Sequence, residues 1–436
     1  MTYFGKISTD LVMKSSKVIH ELTTQDILRR VLEIFEVPPA FVSVLKSLSN
    51  CQDSPKLRHW VSVSRCLLRS KIQTLDPEPR FVAHFYVDSL APSRIMEIHA
   101  FRAMEIVLED KMAHGGDFAW DDGGALFPPT FNLWKVGTIQ PTAPLTGVRI
   151  QLVQDLLTIK ANGSRVSLSR DGSNVQVSGS LSFTPPLLAT SQAGDFVVPI
   201  DVSGLADAYH SHAPVVRGRS ANMKWIKVFG EAVSLLHTQN PDTARDCARL
   251  CPAVLALHTG GASYGSSSPQ ELMGLIFLPG VDDAYDLAEC LLHESLHQKL
   301  YRVEEGSPLF MDGKDEEEIY YSPWRSDGRP LRMLVHGAYV FAGVSHYWKT
   351  NYERLTYPED RDNAGFHCYY RAKQAEAAIA IVDKHDRRTE MGRKVSEIIH
   401  EGIDDALCGL TVPASVQAEA NVRLEQHLSR FGRLVR

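Results

Sequence analysis

Three residues carry the clearest chemical possibility in this chain: His293, Glu294 and His297, in the run HESLH. On a helix, residues four apart leave the same face, so two imidazoles at this spacing can meet one divalent ion. The carboxylate between them can then act on a water held by that ion. An ordinary amphipathic helix can also carry two histidines and a glutamate. What favours a site is that His293 and His297 alternate with Leu292 and Leu296, which turns the rings toward the covered side. Buried imidazoles need polar partners.

Two histidines leave a divalent ion short of protein ligands, and the third decides the chemistry. A zinc peptidase would use a glutamate from a following segment, with Glu294 as general base; Glu304, Glu305, Glu316, Glu317 and Glu318 are the candidates. None is well placed: the first two follow closely after His297, and the others belong to the charge run KDEEE. His336 is the better candidate, and His293, His297 and His336 would form a three-nitrogen set suited to zinc or ferrous iron. Arg325, Arg329 and Arg332 cluster just before it. A guanidinium beside a metal matches the carboxylate of a chelating small molecule, because its fork fits two oxygens. His210 and His212 are a second, weaker pair with no carboxylate nearby.

The elements that must hold these residues can be read from spacing. Leu287, Leu291, Leu292, Leu296 and Leu300 recur at helical spacing, with Asp283 and Asp286 at the start and Gly306 and Pro308 at the end. Leu331, Leu334, Val335, Ala338, Phe341, Ala342 and Val344 predict a second helix that opens at Pro330. Residues 1–110 read as a helical N-terminal region, and 351–436 as C-terminal helices. Between them, 111–204 reads as a loop and antiparallel strand-rich region, and 205–350 as the metal-binding core. Within the second region, Gly115–Pro144 predicts a long ordered loop with Trp120, Phe127, Phe131 and Trp134 against the core. Residues 146–200 alternate apolar and polar, with hairpin turns at Asn162-Gly163 and Asp171-Gly172. The fold class expected is α+β and predominantly helical: a metal-binding helical core, an antiparallel β region and helical ends.

A chain of 436 residues can bury a large core, and 44% hydrophobic with 22% charged residues is a globular composition. A net charge of −6 gives no sign of wholesale nucleic-acid or membrane binding. The first twenty residues lack the pattern of a secretory signal, and no apolar run is long enough to span a bilayer. Seven scattered cysteines read as reduced thiols. Together these predict a cytoplasmic protein.

Two stretches taken together are similar to the HExxH-type 2-oxoglutarate-dependent peptide β-hydroxylases of ribosomal peptide pathways. They are LLHESLHQKL at 291–300 and YYSPWRSDGRPLRMLVHGAYVFAGV at 320–344, preceded by the similar loop HTGGASYGSSSPQELMGLIFLPG. The specific features cover roughly residues 255–350. The resemblance implies Fe(II) held by His293, His297 and His336, with 2-oxoglutarate and O2 as cosubstrates and Glu294 close to the metal. It implies Arg329 or Arg332 at the cosubstrate carboxylate, with Arg325 beside them. The substrate it implies is a ribosomally made precursor peptide, hydroxylated at a β-carbon. The alternatives are a zinc metallopeptidase using Glu294 as base and a non-catalytic peptide-binding protein built on the strand-rich region.

Overall fold

Proline opens five of the described helices: α1 (Pro39–Ser47), α2 (Pro55–Gln73), α3 (Pro92–His114), α5 (Pro241–Leu250) and α8 (Pro358–Val382). A first-turn residue needs no intrahelical N–H partner, and proline's fixed φ suits that position. The remaining helices are α4 (Arg219–Gln239), α6 (Ala284–Gly306), α7 (Leu331–Arg354), α9 (Glu390–Leu407) and α10 (Ala414–Phe431). The computed structural model describes residues 25–73, 92–198, 219–257, 265–311 and 318–432, apart from isolated positions at 33, 34, 36, 123, 129, 135, 170, 171, 192, 193 and 386. His210, His212, Glu316 and Glu317 lie outside the described residues. The fold is α+β and predominantly helical, as the sequence predicts. No described helix is long and apolar enough to cross a membrane.

The chain divides into two compact units. The first comprises the described residues of Lys17–Glu231 and Cys251–Asp283; the second comprises those of Ala232–Leu250 and Ala284–Arg436.

In the first unit the helices α1, α2 and α3 accompany three sheets. The largest is antiparallel, in the order β1 (Phe118–Asp122), β4 (Val148–Val153), β5 (Leu156–Ala161), β6 (Ser164–Ser169), β7 (Gln176–Ser178). Asn162 and Gly163 join β5 to β6 with φ of 41° and 76°, the left-handed pair that a two-residue hairpin turn requires. A three-stranded sheet pairs β2 (Phe131–Leu133), β3 (Gly137–Pro141) and β8 (Leu181–Thr184). The third sheet runs β12 (Leu275–Pro279), β11 (Ala253–Leu257), β10 (Gly194–Val198), β9 (Leu187–Ser191), and its β10–β11 and β11–β12 pairs are parallel. The strand region is therefore three sheets. The segment Gly115–Pro144, expected as a loop, contributes β1, β2 and β3; β2 and β3 pair locally with each other, while β1 pairs with β4 and β3 also with β8, both distant in sequence. Its aromatics are in the core as expected: Phe131, Phe127, Trp120 and Trp134 are all buried.

In the second unit α7 is buried on nearly every side and packs against α6, α8 and α9. The seven residues expected on its covered face are all buried, but so are Tyr339 and Val340. A helix apolar all round belongs inside a bundle. The helix α5 lies on α6, where Asp246 approaches the fully buried Lys299 at 3.7 Å. The outer helix α9 starts at Thr389, whose hydroxyl accepts from the Gly392 N–H at 3.0 Å.

Candidate functional site

The site is built where α6 meets α7. Leu287, Leu291, Leu296 and Leu300 are completely buried, which fixes the rotation of α6 and turns His293 and His297 toward α7. Their ring centroids are 5.0 Å apart, with the planes at 69°. From α7, His336 is completely buried, and its Nδ1 lies 3.3 Å from Nδ1 of His297. Tyr301, one turn beyond His297, packs on the His336 ring at 4.6 Å. Phe341 lies 5.3 Å from the His293 ring, and Trp324 lies 5.1 Å from Phe341. Gly337, next to His336, admits this indole: a β-carbon there would fall 1.9 Å from Trp324 Cζ2.

Behind His336 stands an ion pair that sequence reasoning did not assign. Arg332 donates from Nε and Nη2 to the two oxygens of Glu304, at 2.8 and 2.6 Å. The same carboxylate lies 2.9 Å from His336 Nε2. Burial opposes ionisation of Glu304, but the hydrogen bonds from His336 and Arg332 outweigh it and hold the carboxyl below its ordinary range. A carboxylate can only accept, so His336 donates from Nε2 and its Nδ1 faces His297. Metal-binding histidines are typically supported in this way, with the far nitrogen donating to a carboxylate. Glu304 was a candidate ligand in the sequence; its place here is behind a histidine. The only sequence signal for this was its spacing, seven residues after His297 and so on the same side of α6.

Burial pushes the pKa of His293 down, against the pull of Glu294 and Glu289. It pushes His297 well down, helped by His293 and His336. Neutral imidazole is the form that binds metal. Glu294 is buried, with Oε1 3.9 Å from His293 Nε2.

The three arginines separate. Arg332 is held by Glu304 and also lies over the Tyr301 ring at 5.9 Å. Arg325 is exposed and donates to Asp327 at 2.8 Å. Arg329 is half-buried: its Nη2 reaches the exposed Asp327 at 3.2 Å, while its buried Nε has no hydrogen-bond acceptor. Tyr301 also belongs to its electrostatic surroundings, which links it to the histidines. A fourth arginine escaped the sequence reading. Arg371 on α8 donates to Glu289 at 2.9 Å and lies over Phe341 at 4.9 Å. Trp348 donates to the other Glu289 oxygen at 2.6 Å. Glu289 precedes His293 by one turn, and a glutamate on the apolar side of a helix was the available signal.

Does this set fit a metal ion? Two ligands on one ion at about 2.0–2.1 Å stand roughly 3.0–3.4 Å apart, so the His297–His336 nitrogen spacing fits. The lowered pKa values of His293 and His297 and the Glu304 support behind His336 fit as well. Yet no group of three or more His, Cys, Asp or Glu among the described residues is arranged to hold a metal. The geometry brings two nitrogens together; His293 is the nearest further imidazole, with its Nε2 beside Glu294.

No protein-family model matches the chain, and no curated protein matches it.

Proposed function

We propose that the protein is an Fe(II)- and 2-oxoglutarate-dependent oxygenase that hydroxylates the β-carbon of a residue in a ribosomally made precursor peptide. The observation that carries the choice is the His297–His336 pair with Glu304 behind it. A peptidase of this motif usually completes its site with a glutamate from a following segment, and two of the candidates, Glu304 and Glu318, are engaged elsewhere. Glu304 supports His336, and Glu318 is at the surface with Tyr320 and Arg387. Three histidine nitrogens can hold ferrous iron as well as zinc and leave coordination positions open for a cosubstrate.

In this reading His293, His297 and His336 hold the ion, and Glu304 with Arg332 fixes the tautomer and angle of His336. Arg329 binds the cosubstrate carboxylate, because its present partner is an exposed aspartate that a better anion can displace, whereas Arg332 is held by a buried one. Ferrous iron with 2-oxoglutarate and O2 supplies the oxidising power to convert a C–H bond to C–OH. Phe341, Trp324 and Tyr301 exclude water from the histidines, and Glu294 orients the bound ligands from beside His293.

Anaerobic reconstitution with ferrous iron followed by 2-oxoglutarate tests this. A visible charge-transfer band that is lost in His336→Ala is expected. Tightly held zinc, no band, and unchanged metal binding in the variant would instead favour hydrolysis by Glu294.

A further inference from the structure

The first unit contains two separate hydrophobic clusters. One includes Ile106, Met112 and Val136; the other includes Trp134, Val197 and Ala253. All six residues also line one cavity of about 560 Å³, which is the seam where the clusters fail to close on each other. That volume lies within the range of small-molecule sites, roughly 300–1,000 Å³. Ala113 and His114 at the end of α3 line the cavity and are exposed, so it reaches solvent there.

The charge on its wall has one sign. Asp53, Glu109 and Asp110 line it, with no Lys or Arg among the described lining residues. Two of these carboxylates already have cations: Asp53 takes Arg58 at 2.7 Å, and Glu109 takes Lys56 at 2.9 Å. Asp110 does not share that arrangement. It accepts from the Gln52 backbone N–H at 2.9 Å, stands 3.3 Å from the His114 imidazole and acts on the nearby Cys51 thiol, and its side chain is only 18% exposed. It also sits in the last turns of α3, where the helix dipole adds negative potential. A mostly desolvated carboxylate at the mouth of an apolar chamber favours a cation that brings an apolar body with it.

We propose that this cavity binds a small organic amine, with Asp110 taking the ammonium group and Trp134, Val136 and Val197 receiving the hydrocarbon. This is independent of the metal centre and stands whichever way the iron experiments fall.

Calorimetric titration of the whole protein with n-hexylamine, n-hexanol and hexanoate at neutral pH tests it, since the three probes share a body and differ in charge. Saturable binding of hexylamine, at least about tenfold tighter than hexanoate, is expected. Asp110→Asn should weaken hexylamine by roughly tenfold or more, the scale of a charged hydrogen bond. Ala113→Trp, an exposed substitution at the mouth, should block uptake with an unchanged melting temperature. Equal affinity for the three probes, no saturable binding of hexylamine, or wild-type affinity in both variants would overturn the proposal.

Discussion

Gly337→Ala is the sharpest structural probe of the site. The added methyl would lie 1.9, 2.5 and 2.6 Å from three atoms of the Trp324 indole. Carbon atoms in contact prefer about 3.5–4.0 Å, so the ring must move by well over 1 Å. On one side the half-buried ring is limited by Phe341, at 5.1 Å between centroids. Overpacking of a tight interior costs about 1–3 kcal/mol, and loss of an aromatic pair adds about 0.5–1.5 kcal/mol. The expected loss is therefore roughly 2–4 kcal/mol. Phe341 also packs on His293, so the histidine should loosen as the indole leaves. The assay is denaturant unfolding of Gly337→Ala in two backgrounds, wild type and Trp324→Ala. If the indole is the obstacle, the alanine should cost under about 1 kcal/mol once Trp324 is gone. An equal loss in both backgrounds, or no loss in either, would refute the reasoning.

Three further outcomes are expected. Glu304→Ala should weaken metal binding about 10- to 100-fold, while Glu304→Gln, which keeps an acceptor for His336, should lose less; equal affinity of wild type and both variants, by competition with a chelator, would count against the support role. In the first unit, His99 is stacked on Trp60, and burial, aided by His59 and Arg102, lowers its pKa to about 3. Its unfolded form takes a proton first as pH falls below about 6.5, so its stability contribution is present above that pH. It is lost toward pH 3, by up to about 5 kcal/mol at roughly 1.4 kcal/mol per unit; His99→Phe should flatten the unfolding free energy in that window, and an unchanged slope would contradict it. Burial raises the thiols of Cys51, Cys247 and Cys368 to about 12. Brief alkylation at pH 8 should modify the exposed Cys408 and spare these three by mass spectrometry, and their stability contribution should fade as pH rises from about 9 to 12.

The residues at issue divide by how far their causes reach along the chain. The sequence by itself determined what is local. The leucines around HESLH orient α6, Pro330 starts α7, and Asn162-Gly163 turns β5 into β6, each set by a few neighbouring residues and the rotation per residue of helix or strand. The three strands within Gly115–Pro144 were not legible, because all three are short and, apart from the β2–β3 pair, their partners β4 and β8 come from elsewhere in the chain. The site behaves the same way. That His293 and His297 share a face is a property of one helix. That Glu304 backs His336 across 32 residues, that Arg332 is spent on Glu304 while Arg329 keeps a loose partner, and that Arg371 arrives from α8 are properties of packing. A carboxylate or guanidinium has no fixed role until the fold decides which opposite charge it must meet when both lose water, and only the tertiary structure makes that choice.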